Sequence, residues 1–299
     1  MSNWLISIEG TDTGRHAALV LALMAAALHA LFGALQKGRH DPWLARAAID
    51  LCYGLIALPF ALFVVPWPEA HMWPIFAGAF VIHAFYKVLQ AMTYTRGAYT
   101  VVYPVVRGTG PLFTVAAAGL VFGERYAPVQ WAGVAMLTSG ILGLSAHNLL
   151  HLSHGRNTLK PALGFAVATG ALVAAYTTYD AWGIRATADP FTFLAWFFLI
   201  DAVFIPTLNA RRLLGLERAE IAPLFRRGVL GALVAFCSFG AIMLATRLDR
   251  VGEAAVLRET STVFAALIGW LVLGEKVGRV PAALMALIAA GAVVMEWGG

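Results

Sequence analysis

Charge is what this 299-residue chain has least of: Asp, Glu, Lys and Arg together make up 12% of it. A soluble domain carries roughly 25% charged residues, so most of this surface is not built to face water. Cysteine is scarcer still. Cys52 and Cys237 sit in apolar runs with no partner pattern, which argues against disulfides. The opening MSNWLISIEGTDTG lacks a basic stretch followed by a cleavable apolar segment, so no signal peptide is read there. No segment is long and polar enough to fold as a soluble domain. The net charge of +5 gathers in loops rather than on a basic face, so no nucleic-acid partner is expected. The patterns HExxH, GxSxG and GxGD are missing, which makes a membrane-embedded enzyme the weaker alternative, and no cofactor is expected.

Hydrophobicity is what the chain has in excess. Apolar residues make up 60% of it, and the mean hydropathy is +0.76. A helix crossing roughly 30 Å of hydrocarbon takes about 20 residues, so the length allows about ten crossings with short connections. The runs predict helices at 16–36, 44–65, 72–95, 99–122, 128–146, 161–183, 191–209, 228–246, 252–273 and 280–297. The expected fold class is an all-α integral membrane protein, with the lipid bilayer as its first partner.

Sliding 95–143 onto 246–294 exposes an internal repeat. Thr95 meets Thr246, Arg96 meets Arg247, Arg107 meets Arg258, and Gly123-Glu124 meets Gly274-Glu275. Val129, Ala132, Ala135 and Gly140 also find identical partners, and HDPW near 40–43 falls in register with ADPF near 188–191. The chain divides into a first five-helix repeat at 1–146, a connection at 147–160 and a second repeat at 161–299. An odd number of crossings inserts the second half upside down. Inverted repeats are a transporter architecture, with the solute site near midplane between the halves.

The third predicted helix carries HAFYKVLQAMTY at 83–94. At about 100° per residue, His83, Tyr86, Lys87, Gln90 and Tyr94 share one face. Lys87 lies about 12 Å from the nearest helix end, where an unpartnered charge costs roughly 2.5–3.5 kcal/mol. The fourth helix brings Arg107 to the same depth on a face with Tyr99 and Tyr103, and Pro104 and Pro111 bracket it. Two cations among phenols predict a site for a carboxylate. The plainer alternative is that Asp50, at similar depth, neutralises one of them as a structural ion pair. Arg258 and Glu259 form either a gate or a fold-holding pair. In the sixth helix Tyr176 and Asp180 share a face: Tyr176 reads as cavity lining, Asp180 as a receiver of an ammonium, and Tyr179 and Trp182 as interfacial residues. Asp201 is a candidate partner of Lys87 or a proton carrier, and His29 and His83 titrate near neutrality, although facilitated diffusion needs no proton. His147, His151 and His154 have helical spacing but no accompanying carboxylate or cysteine, so no metal is expected.

The endings FGERYAPVQWAGVAMLTSGILGL and LGEKVGRVPAALMALIAAGAVVM resemble the repeat endings of the EamA-type branch of the drug/metabolite transporter superfamily. LQAMTYTRGAYTVVYPVVRGTGPLF is similar to that family's third-to-fourth helix hairpin, and the resemblance covers nearly the whole chain. It implies export of metabolites such as amino acids by alternating access. The His- and Tyr-rich third helix most resembles the aromatic amino-acid exporters. Small multidrug members of the superfamily rely on a glutamate in the first helix; this chain has only His29 and Gln36 there, which argues against that mechanism.

The reading that follows is an inner-membrane exporter of amino acids, aromatic ones included, and related metabolites. The halves rock, with the kinked fourth helix (Pro104) and its partner around Arg258 as gates. An exporter of cationic drugs and a carrier of phosphorylated solutes are the alternatives, and the oligomeric state is left open. Taking the amino terminus as side one, that side carries Arg15, Arg125, Arg185, Arg247 and Arg250. Side two carries many more, from Lys37, Arg39 and Arg46 to Lys276 and Arg279. The positive-inside bias places side two in the cytoplasm, although relatives are usually drawn with their termini inside.

Overall fold

The computed structural model describes residues 2–36, 41–96, 99–150, 159–271 and 278–299. Its helices are α1 (Ser2–Ile8), α2 (Asp12–Gln36), α3 (Pro42–Pro59), α4 (Met72–Arg96), α5 (Tyr99–Phe122), α6 (Pro128–Leu150) and α7 (Leu159–Arg185). There follow α8 (Pro190–Asp201), α9 (Phe204–Leu208), α10 (Ala210–Leu214), α11 (Arg218–Leu248), α12 (Val251–Arg258), α13 (Ser261–Leu271) and α14 (Arg279–Trp297). A π turn, Phe60–Val64, extends α3. Among the described residues nine helical segments are long and apolar enough to cross a membrane; α12 with α13 supplies the tenth crossing. Large apolar side chains point outward, Leu120 at 88% and Phe85 at 66% exposure. Such a surface is stable only where the surroundings are oil.

The repeat shows in how helices begin. Asp41 Oδ1 accepts from the amides of Trp43 (3.0 Å) and Leu44 (3.1 Å), and Pro42 opens α3. Asp189 Oδ1 accepts from Phe191 (2.7 Å) and Thr192 (3.2 Å), and Pro190 opens α8. Each Asp-Pro therefore caps the second helix of its half. The fifth helices of the two halves, α6 and α14, pack together through repeat-related glycines. A Cβ on Gly140 would stand 2.9 Å from the Leu284 carbonyl, and one on Gly291 2.5 Å from the Leu137 amide. Only a residue without a side chain lets these backbones approach so closely.

Two expectations need correction. The helix expected at 252–273 is broken. Glu259 and Thr260 bond back three residues, to Val256 and Leu257 (both 3.1 Å), and the Thr260 and Thr262 hydroxyls take the carbonyls of Leu257 (2.6 Å) and Glu259 (2.9 Å). Hydroxyls competing for carbonyls at a site with two charges interrupt the ladder. Its repeat mate α5 is one continuous helix with Pro104 and Pro111 inside it. The arginine-rich connection before 228 is instead α10 and the first turns of α11, started by the Glu220 carboxylate accepting from the Glu217 amide at 3.2 Å. Charged residues had hidden a helix that projects beyond the apolar layer. Residues 151–158 and 272–277, with His151, His154, Gly274, Glu275 and Lys276, lie outside the described residues, as do the side chains of Gln36 and Tyr94.

Candidate functional site

The hydrophilic edge of α4 faces a cavity between the halves. His83, Tyr86 and Gln90 line it with His29 and Phe32 of α2, Arg46 and Tyr53 of α3, and Tyr103 of α5. The second half adds Tyr176 of α7, Phe197, Phe198 and Asp201 of α8, and Ala235, Ser238 and Phe239 of α11. The space is about 890 Å³ when the open solvent at its mouth is included. Arg46 and Tyr103 lie one turn inside the side-two ends of α3 and α5, and His83 and Tyr176 lie near mid-helix. The cavity is therefore displaced toward side two.

Lys87 shares the stripe but not the cavity lining. Its Nζ donates to Asp50 Oδ2 (2.8 Å), Asp201 Oδ2 (2.9 Å), the Asp201 carbonyl (3.1 Å) and Tyr53 Oη (3.3 Å). Tyr53 Oη donates in turn to Asp201 Oδ2, and Arg46 Nε donates to Asp50 Oδ1 at 2.6 Å. Two cations and two carboxylates make this buried group neutral, the arrangement in which a low-dielectric interior tolerates charge. Both partners weighed for Lys87 from the sequence, Asp50 and Asp201, are on it. Arg46 differs, because 28% of its side chain is exposed and it lines the cavity, and its bond to Asp50 uses Nε alone. Arg46, Tyr53, Phe197, Phe198, Ser238 and Phe239 were not singled out from the sequence. The one signal was Arg46 and Asp50, four apart at the start of an apolar run.

Arg107 is also held by protein. Its Nε lies 2.8 Å from Glu259 Oε2 in an ion pair without hydrogen-bond geometry, and its Nη2 donates to Ser261 Oγ at 3.0 Å. Arg258 flanks the same carboxylate (Nε to Oε1, 3.9 Å) and reaches Tyr176 Oη at 3.5 Å. The repeat-related arginines thus converge on one glutamate at the break between α12 and α13. Pro104 does not line the cavity.

His83 and Asp180 form a buried pair, Nε2 to Oδ2 at 2.8 Å. His83 lines the cavity, whereas Asp180 lines a smaller pocket of about 210 Å³ with Thr177, Ile242, Met243, Thr246 and Arg258. Tyr176 and Phe239 line both spaces, with ring centroids 5.9 Å apart, and His83 stands 4.8 Å from Tyr176. These rings form a partition. The small pocket lies beyond it toward side one. Trp182, read as interfacial, is 44% exposed and packs on Tyr179 at 5.4 Å.

On side one the halves meet through Glu124 and Arg247, and the second half is braced within itself by arginine–carbonyl bonds. Glu124, from the first repeat's GER ending, accepts from the amides of Val251 (2.8 Å) and Gly252 (3.2 Å) at the start of α12, and from Tyr126 Oη. An anion at a helix amino terminus meets both free amides and the helix dipole. Arg185 donates to the carbonyls of Thr246 (2.9 Å) and Asp249 (2.8 Å). Arg247 takes those of Ile184 and Thr187 (both 2.7 Å) and pairs with Glu9 at 2.5 Å.

Two inverted five-crossing halves around a cavity displaced to one side define a membrane transporter of small solutes. The chain belongs to the EamA-like transporter family, whose model matches it at 16–146 and again at 160–297. A solved structure described only as that of a protein is 18% identical, with a TM-score of 0.73 over 96% of this chain and 99% of that one. That likeness concerns the fold alone. No curated protein matches the chain.

Proposed function

We propose that this transporter exports amino acids, aromatic ones included, across a cell's inner membrane by alternating access. The observation that carries the reading is the make-up of the cavity: Arg46 near its mouth and aromatic rings along most of its walls. An amphipathic solute with a carboxylate suits that combination. A guanidinium with free N–H groups pairs with a carboxylate through charge-assisted bonds, and rings bury an apolar side chain at roughly 25 cal/mol per Å².

The carboxylate role moves from Lys87 and Arg107 to Arg46, because the first two face protein carboxylates away from the cavity lining, whereas Arg46, although its Nε bonds Asp50, lines the cavity. The same pairing weakens the case for phosphorylated solutes, which need several uncommitted cations. A cationic drug would meet Arg46 on entry, which disfavours it. Tyr86, Tyr103 and Tyr176 with His83 line the passage, and Asp180 beyond the partition receives the ammonium. The test is flux of labelled phenylalanine in proteoliposomes. Wild type is expected to move it, and Arg46→Gln to raise the half-saturating concentration about tenfold, the order of one lost charge-assisted pair. An Arg46→Gln curve that overlays wild type removes the anchor, and absence of phenylalanine flux in wild type removes the substrate class.

A further inference from the structure

The His83–Asp180 pair stands between two spaces. Both side chains are buried, at 3% exposure each. They belong to different spaces: the imidazole lines the side-two cavity and the carboxylate lines the pocket beyond the aromatic partition. Their 2.8 Å contact therefore joins the two spaces across the partition. Asp180 uses only Oδ2 on the imidazole, and its Oδ1 is buried without a hydrogen-bond partner among the described residues. A buried carboxylate with one idle oxygen is costly unless something cationic visits it.

We propose that His83 and Asp180 are a proton-exchange site through which solute movement is coupled to counter-movement of a proton. The inference rests on the amino-acid reading above. With the pocket empty, an imidazolium balances the Asp180 carboxylate. A solute ammonium passing Tyr176 and Phe239 comes to Asp180 Oδ1 and takes over that balance. Two cations on one carboxylate repel, so the ring gives a proton to water in the side-two cavity and stays as neutral imidazole. No bond to the solute forms or breaks. Once the solute has left toward side one, the carboxylate is again without a counter-charge, and the imidazole recovers a proton from that side. Solute and proton thus exchange across the partition in opposite directions. With side two in the cytoplasm, this is efflux driven by proton entry.

Most charged groups around this pair are committed to partners of their own. On its own helix His83 neighbours Tyr86, which accepts from Gln90 at 2.6 Å, and Lys87, which is held by Asp50 and Asp201. From α7 comes Tyr176, and from α8 Phe197 and the Lys87-bound Asp201, whose charge acts on both members. From α11 comes Phe239, and from α12 Arg258, whose charge acts on Asp180. His29 lines the same cavity from α2.

The experiment uses the full chain in liposomes with the membrane potential clamped at zero. One proton per solute converts each pH unit, inside acid, into roughly a tenfold accumulation of phenylalanine. Wild type is expected to reach that ratio. A wild type that exchanges labelled for unlabelled phenylalanine yet settles at equal concentrations overturns the coupling and leaves the amino-acid reading standing. No phenylalanine movement in either mode overturns both. In H83N and D180N the ratio should fall to one, a limit independent of how fast a variant works; a retained tenfold ratio overturns the assignment to this pair. If neither variant folds or carries solute, purified wild type in weak buffer decides. About one proton released per phenylalanine bound supports the proposal, and none released overturns it.

Discussion

The two ends of the path are built from different materials. On side one, Glu124 meets the amides of Val251 and Gly252 in the opposite half and Arg247 pairs with Glu9, so closure rests on a few polar contacts that cross the repeat boundary, while the arginine–carbonyl bonds brace the second half within itself. Toward side two, the buried charges Arg46, Asp50, Lys87 and Asp201 are paired among α3, α4 and α8, and the space beside them is open. The first arrangement can release, because each member finds water once the loops part. The second has no such exit. A lysine and two carboxylates buried mid-bundle hold together in any state of the cycle, since separating them leaves a bare charge in oil. One end is a latch and the other a frame.

The contrast predicts unequal costs. Lys87→Met should be the most damaging change, because it leaves two carboxylates facing Arg46 alone. Removing one partner of a buried pair costs about 3–5 kcal/mol, a fall in the unfolding midpoint on the order of 10 °C for a chain of this size. Thermal unfolding in detergent reads it, and a midpoint within two or three degrees of wild type would mean that the frame carries little. Glu124→Ala should cost less in stability and more in state. Losing charged acceptor bonds worth roughly 1.5–3 kcal/mol favours opening of side one about tenfold to a hundredfold. Spin labels at Ala127 and Ala188, on the side-one loops, should then show a new longer distance; an unchanged distribution would place the latch elsewhere.

The smallest effect belongs to a contact outside the apolar layer, Asp41 with Arg212 at 3.0 Å. Partial burial works against the Asp41 carboxylate, yet the Arg212 guanidinium and the Leu44 and Trp43 amides hold its pKa below the ordinary value. A lowered acid constant means that its contribution is present above the ordinary carboxylate range and is lost as pH falls through the lowered value. Asp41→Ala should cost about 1 kcal/mol at neutral pH, as for other amino-terminal caps, and the gap to wild type should close in acid. A gap that persists at pH 2 would contradict the assignment.

Much of this was legible before any coordinates. A repeat with matching Arg107 and Arg258, and one helix whose polar residues share a face, announce a two-half bundle with a wet edge. What sequence could not supply was the partner across the gap. Tyr86 and Lys87 are adjacent, and about 100° of helical turn sends one toward the cavity and the other to Asp50 and Asp201. Only packing decides that. Arg46 was hidden for a different reason: near a helix end it reads as one more basic loop residue. Phe197, Phe198 and Phe239 were hidden because a phenylalanine facing a cavity and one facing lipid look alike in sequence. The break at Glu259 depends on hydroxyls turning back onto carbonyls, a competition that apolar periodicity does not register.

Most directly at stake is the claim that solute reaches the cavity from side two and is stopped by the aromatic partition. In a background with Cys52 and Cys237 replaced, single cysteines at Ala235 in the cavity and Thr246 beyond the partition would be exposed to a membrane-impermeant thiol reagent from each side in turn. The account predicts labelling of position 235 from side two alone and protection of position 246 from both sides in the resting state. Labelling of position 235 from side one, or from neither side, would contradict it.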